Sequence, residues 1–359
     1  MFAYGAAYIG IIVSSMTGLT KRGTQIALGV LWLFDGVLQL QHQMFTSNFA
    51  TQVIEPAEQG QPTFVSGPMH LGVHVFLMHP AIFNALFVLT QLTLGVLILW
   101  KRTTKTGLLL SVPWGLIVWV LGEGYGGILS GKTSLLMGAP GAAILYVILA
   151  LAILPTDKKP GQTAYWLALV WLVIWVGGGV YQLLPGQNST TNMGSMIAAN
   201  IDGSPKWLGS TDRYVVHGLK YLGGAKNDQR SVSSVSGMNM TAAQMSHMSN
   251  QTTMASGSGT GGLYILLFAL LQFCIGIGVL FKGIMRNTVI VLGLIVSLII
   301  WVVGESLGGY FTGMMADPNS APLLIIMGLA IAQTLGVDSG LAGVAAKIQA
   351  LTVGSPSNS

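Results

Sequence analysis

The sequence predicts an all-α polytopic membrane protein: two parallel four-helix repeats preceded by one short N-terminal span, about nine membrane helices of roughly 20 residues each. Three observations carry this expectation. Of 359 residues, 52% are hydrophobic and only 8% charged, against about 25% charged in an average soluble domain. The basic residues gather in short clusters between apolar runs (Lys21 with Arg22; Lys101, Arg102 and Lys105; Lys158 with Lys159; Lys282 with Arg286), as cytoplasmic loops do under the positive-inside rule. Finally, WVLGEGYGGILSG at 119–131 returns as WVVGESLGGYFTG at 301–313, with Trp119, Gly122, Glu123, Gly126, Gly127 and Gly131 matched by Trp301, Gly304, Glu305, Gly308, Gly309 and Gly313. Self-similarity of this kind marks a duplicated unit.

Taken in order, residues 1–23 hold a short span at 3–19, which lacks the positive flank of a signal peptide. The first repeat, 24–154, carries spans at 24–44, 79–100, 107–129 and 135–154. The second, 155–340, carries them at 163–184, 262–281, 288–312 and 321–337, and 341–359 is a tail. Placing every basic cluster inside puts the N-terminus outside the cell membrane and the C-terminus inside. Segments 45–78 and 185–261 then lie outside, the second rich in Ser, Thr, Asn, Gln and Gly and expected to be mobile. Further echoes align the copies: Trp32, Gly36 and Gln39 with Trp175, Gly179 and Gln182; Phe87, Gln91 and Gly95 with Phe268, Gln272 and Gly276; Ala139 and Pro140 with Ala321 and Pro322. An even number of spans per unit makes the repeats parallel, related by an axis along the membrane normal.

Ionisable residues inside such spans are costly and mark either polar locks between helices or a proton, ion or substrate path. Glu123 and Glu305 are one symmetric pair. Asp35, followed by Gln39 and His42 on roughly one helix face, has Gly178 as its counterpart, so a purely structural role in both copies does not explain it. His70 and His74, four residues apart, share a face if their segment is helical, a spacing suited to a metal or haem ligand pair. The expectation is that Asp35, His42, His70 and Glu123 converge in the outer half of the first repeat, while Glu305 belongs to a simpler second copy. In the outer segment, Met238, Met240, Met245 and Met248 surround His247, with Met254 nearby. Thioethers and imidazole are ligands for copper; a low-complexity linker is the plainer reading.

A four-helix membrane unit with polar residues near its outer ends and no soluble catalytic domain resembles the DoxX-like superfamily, to which the small membrane subunit of archaeal thiosulfate:quinone oxidoreductase is similar. The chain would hold two such units in tandem. It is also similar to prokaryotic membrane proteins with the Trp-x-x-Gly-Glu-x-x-Gly-Gly pattern seen at 119–127 and 301–309. The resemblance implies the fold and transfers no catalytic residue.

Three functions fit these residues. One is a membrane subunit of an electron-transfer or metal-handling system with a quinone, copper or haem site at the outer face and a redox partner there. The second is a proton-coupled carrier of small solutes or ions using Glu123 and Glu305, and the third a non-catalytic scaffold. No phosphate-binding loop, dinucleotide fingerprint, zinc-protease helix or cysteine pair is present, which argues against nucleotide-driven transport and thiol redox chemistry. Basic clusters confined to loops give no nucleic-acid surface.

Overall fold

A computed structural model describes residues 18–131, 133–154, 163–185, 187, 189–199, 201, 204–222 and 261–335. Among the described residues every regular element is helical. The first half contains α1 (Lys21–Leu38), α2 (Thr63–Met78), α3 (Pro80–Leu99), α4 (Thr104–Leu121) and α5 (Ala142–Ile153). The second contains α6 (Leu167–Gln182), α7 (Thr190–Ala199), α8 (Lys206–Leu222), α9 (Gly261–Gly278), α10 (Gly283–Ile299) and α11 (Ser320–Leu335).

Local chemistry sets the boundaries. The Thr20 hydroxyl accepts the Gly23 N–H at 3.0 Å and caps α1, and Pro80 opens α3 in the first turn, where its missing N–H costs nothing. In the first half α1 packs on α3 and α4 on α5; in the second α6 packs on α9 and α10 on α11. The echoed glycines are the seams. A Cβ on Gly36 would lie 2.7 Å from Leu92 and one on Gly95 2.6 Å from Leu33, while Gly179 is held 2.7 Å from Phe273 and Gly276 2.9 Å from Val176 by the same measure. Small residues thus let each first and second helix approach closely, as apolar helices must when packing is their main attraction. Helices α5 and α11 pack against each other, and most of α5 is buried, with Leu145, Tyr146, Leu149 and Ile153 in the main apolar cluster.

Three stretches, Pro80–Leu99, Thr104–Ser130 and Gly283–Thr312, are long and apolar enough to cross a membrane. The other apolar helices are shorter than the sequence led one to expect. The expected span 135–154 is reduced to α5, 12 residues or roughly 18 Å, because a Gly- and Pro-rich approach replaces its first turns. The expected spans at 107–129 and 288–312 fall within two of the three long stretches and change helix type near their ends. After α4 the chain enters a left-handed turn, and α10 passes through a wider π-type turn, Ile300–Gly304, before a similar turn.

The two segments expected to lie outside also differ from expectation. Segment 45–78 contains the apolar helix α2, and part of 185–261 is ordered as α7 and α8. Burial explains both: Val65, Met69, Val73 and Phe76 on α2, and Leu208, Asp212 and Val216 on α8, face inward. Residues 3–17, the methionine-rich 238–254 and the tail 341–359 lie outside the described residues.

Candidate functional site

The repeated Trp-x-x-Gly-Glu-x-x-Gly-Gly segment builds one local device twice. After each glutamate four consecutive residues adopt positive φ: Gly124, Tyr125, Gly126 and Gly127 in one copy, Ser306, Leu307, Gly308 and Gly309 in the other. This left-handed turn brings the chain back under the next helix. Trp119 Nε1 donates to the Pro140 carbonyl at 2.8 Å, and Trp301 Nε1 to the Pro318 carbonyl at 3.0 Å. Gly126 and Gly308 leave room for those same two proline residues. Each glutamate then accepts N–H groups at the start of the following helix, where orphan donors and the helix dipole favour a carboxylate. Glu123 Oε1 takes the Ala143 N–H at 3.0 Å. Glu305 takes the Ser320 hydroxyl at 2.7 Å and the Ala321 N–H at 3.2 Å to each oxygen.

These contacts correct one echo. Pro140 corresponds to Pro318, and Ala143 to Ala321, so the Ala139–Pro140 match with Ala321–Pro322 is a coincidence of letters. The Trp-to-Pro interval runs from 119 to 140 in one copy and from 301 to 318 in the other, and the first loop is longer by the difference, 21 − 17 = 4 residues. In the corrected register Asp317 stands opposite Ala139, and Asn319, at φ 69°, opposite Gly141, at φ 104°.

The longer loop also explains why the copies differ. Its Leu135 and Leu136 are buried against the second half: a Cβ on Gly178 would sit 3.2 Å from Leu135, and Gly304 is pressed against the Leu136 carbonyl. Gly178 occupies the position of Asp35, and a Cβ there would meet Gln272 Oε1 at 2.6 Å as well as Leu135, so the two together leave no room for a carboxylate. In return the second half sends Met315, Ala316 and Asp317 into the first, anchored by Gln41 Nε2 donating to the Met315 carbonyl at 2.9 Å. Among the described residues no such leucine plug fills the first half. It holds a chamber of about 510 Å³ lined by Trp32, Asp35, Gln39, Phe76, Phe87, Gln91, Trp114, Glu123, Tyr146 and Asp317, among others.

Aromatic rings form one wall: Phe49 meets Phe76 at 5.4 Å between centroids, Phe76 meets Phe87 at 6.0 Å, and Phe87 meets Trp114 at 5.6 Å. On the other side Trp32 and Tyr146 pack at 4.4 Å, and the Tyr146 hydroxyl is turned toward the Asp35 carboxyl. Among the described residues, Trp32 Nε1, Trp114 Nε1, Gln39 Oε1, Gln91 Oε1 and Glu123 Oε2 are buried without a hydrogen-bond partner. Such groups cost about 1–3 kcal/mol each when left unmade, so a cluster of them around one cavity describes a site built for something polar. The mouth is apolar, since exposed Leu71 of α2 and Ile117 of α4 both line the chamber.

A second cavity of about 440 Å³ lies beside the first and shares Val53, Gly122, Glu123, Ala316 and Asp317 with it. It is lined by Gln59, Ser130, Thr133 and Asn319 and is the more polar of the two. The Glu123 and Asp317 carboxyls therefore stand between a polar vestibule and an aromatic chamber. Burial pushes the Asp317 carboxyl above the usual carboxylate range, although the Asn319 N–H, donating to it at 2.7 Å, pulls the other way.

Of the residues expected to converge, the structure brings Asp35 and Glu123 to one cavity, joined there by the candidate Gln39, while Glu305 lies elsewhere, in the cap of α11. His42, His70 and His74 are exposed. The last two do share a face of α2, as their spacing requires, but it is the face turned away from the chamber; His70 Nδ1 lies 3.7 Å from Glu58. Among the described residues no group of three or more His, Cys, Asp and Glu side chains is placed to hold a metal ion. Met238, Met240, Met245, His247 and Met248 lie outside the described residues. Sequence reading missed Asp317, Tyr146, Trp114 and Gln91. Gln91 carried a signal only as the echo of Gln272, and Asp317 carried one as an acid near an apolar stretch, disguised by its loop position.

No family model matches the chain, and no curated protein or solved structure resembles it closely enough to assign it a family or a function.

Proposed function

We propose that the chain is an integral membrane subunit whose first half binds a lipid-soluble, ring-headed electron carrier of the quinone type at the outer side of the bilayer. One observation carries this reading: an aromatic chamber with an apolar mouth, lined by buried, unpartnered donors and acceptors. A flat ring stacks on Phe76, Phe87 and Trp114. Its carbonyl oxygens accept from Trp32 and Trp114, and hydroxyls of the reduced form donate to Gln39, Gln91 or the Asp35 and Glu123 carboxylates. The apolar mouth suits entry from lipid, and the vestibule behind Glu123 and Asp317 gives water access to the acids. Exposed histidines make haem or copper a poorer fit at this chamber; copper at the methionine-rich segment remains a separate proposal on residues 238–248. A DoxX-like unit in two tandem copies, a multi-pass topology with the N-terminus outside, and a redox partner at the outer face belong to the same proposal.

The test is binding of a short-chain ubiquinone or menaquinone analogue to the purified, reconstituted protein, read by quenching of tryptophan fluorescence. Saturable binding is expected, weakened about tenfold or more by Asp35→Asn and Glu123→Gln, since each such loss is about 1.4 kcal/mol, and unchanged by Glu305→Gln. Absence of saturable binding to the unaltered protein would sink the reading. A second reading, a proton-coupled carrier, is favoured by one feature, the two carboxyls standing between two cavities. Substrate-dependent proton movement in vesicles without quinone binding would select it.

A further inference from the structure

The exposed face of α8 has a periodicity that nothing in the chamber uses. Trp207, Tyr214 and Tyr221 recur every seven residues and are 56%, 80% and 77% exposed. Each is preceded by a basic residue, Lys206, Arg213 or Lys220. At 1.5 Å per residue this is a stripe of roughly 21 Å in which an aromatic edge and a basic edge run side by side. Opposite it, Leu208, Asp212 and Val216 are buried, so the helix is docked and the stripe is what it offers outward. Large aromatic side chains left this exposed in a row mark an interaction surface.

The position of α8 selects the occupant. Trp207 packs edge-on against Phe311 at 6.3 Å, and Phe311 against Tyr310 at 5.2 Å; Tyr310 and Phe311 lie at the end of the apolar stretch Gly283–Thr312. The Ser306 hydroxyl donates to Asp212 at 3.3 Å, fixing α8 at the same level. Tryptophan and tyrosine concentrate where a span meets the headgroups, and basic side chains beside them reach lipid phosphates.

We propose that α8 lies in the lipid headgroup layer, its aromatic edge toward the acyl chains and its basic edge on phosphate groups of anionic phospholipid. This rests on the membrane-spanning reading above, and not on the quinone reading. Positive charge on an outer segment does not conflict with the topology, because long segments such as 185–261 cross largely regardless of their charge.

The experiment uses the full chain with Cys274→Ser, carrying a nitroxide at Tyr214→Cys or at Arg213→Cys, in vesicles of phosphatidylcholine with and without phosphatidylglycerol. Carbonate washing comes first; release of the chain there would refute the spanning reading, a different failure from failure of this one. With the chain retained, the label at 214 is expected to relax several-fold more with oxygen, relative to a water-soluble nickel chelate, than the label at 213. The excess should grow with phosphatidylglycerol and lose that growth when Lys206 and Lys220 are both changed to Ser. Equal nickel access at 213 and 214 overturns the proposal, as expected if the stripe waits for an acidic protein instead. Quenching by brominated phospholipid that is the same for the unaltered protein and for Trp207→Phe overturns it independently of any labelled variant.

Discussion

Gly126 and Gly131 both adopt positive φ, 63° and 70°, yet only Gly126 is closed in by the Pro140 carbonyl, while Gly131 faces open space. Left-handed strain alone costs a non-glycine residue about 1–2 kcal/mol, and overpacking adds about 1–3 kcal/mol. Gly126→Ala should therefore lower stability by about 2–5 kcal/mol and Gly131→Ala by only about 1–2 kcal/mol, measured by thermal unfolding in detergent. Asp317 supplies a pH dependence of definite sign. Its folded-state pKa is raised above the unfolded value, so between the two the native state holds the proton more tightly and stability falls as pH rises. Below the unfolded value, about 3.9, the penalty vanishes. Asp317→Asn should raise the melting temperature at neutral pH and leave it unchanged near pH 3; a variant that melts lower at pH 7 would show that the charged form is held by a partner.

At the scale of elements, the two glutamates have the same task and different spare capacity. Both oxygens of Glu305 are engaged at the start of α11, whereas Glu123 Oε2 has no hydrogen-bond partner among the described residues. Glu305→Gln puts an amide donor against an N–H or hydroxyl donor and should cost about 1–3 kcal/mol. Glu123→Gln keeps an acceptor for Ala143 and should cost less than about 1 kcal/mol while weakening ligand binding. Opposite rankings for stability and for binding are the expected pair of results; the same ranking in both would assign the two carboxylates one role. Much of this device was legible in the sequence, because Trp119, Glu123 and the paired glycines act within one short stretch and their copies repeat the letters. The face shared by His70 and His74 was legible too, since spacing fixes it. Which way that face points was not, because it depends on where α2 docks, and α2 itself was hidden in a segment read as an outer loop.

At the scale of the whole molecule, the halves exchange loops, and the exchange accompanies the placing of the aromatic chamber in the first half. The second half contributes Asp317 to the first; the first, with its longer loop, contributes Leu135 and Leu136 to the second. Neither contribution is visible in a linear alignment, because a four-residue difference in one loop looks like noise until the hydrogen bonds of Trp119 and Trp301 fix the register. Once it is fixed, the buried polar atoms of the second half fall into place: Trp175 Nε1 and both polar atoms of the Gln272 side chain, the counterparts of Trp32 and Gln91, are buried without partners among the described residues. Leu135 packs beside this group, 3.2 Å from the Cβ that Gly178 would carry, where the first half has its chamber. Leu135→Ala with Leu136→Ala should therefore do two things. Each truncation should cost about 2–5 kcal/mol, as for other fully buried leucines, well above the cost of Leu109→Ala on the exposed side of α4. The emptied space should also admit a small apolar or ring-shaped ligand beside Trp175, raising the stoichiometry of binding from one to two per chain and bringing Trp175 within reach of quenching. If the double variant is destabilised yet still binds a single equivalent, α6 and α9 have collapsed onto the gap, and the second half never held a chamber of the same shape.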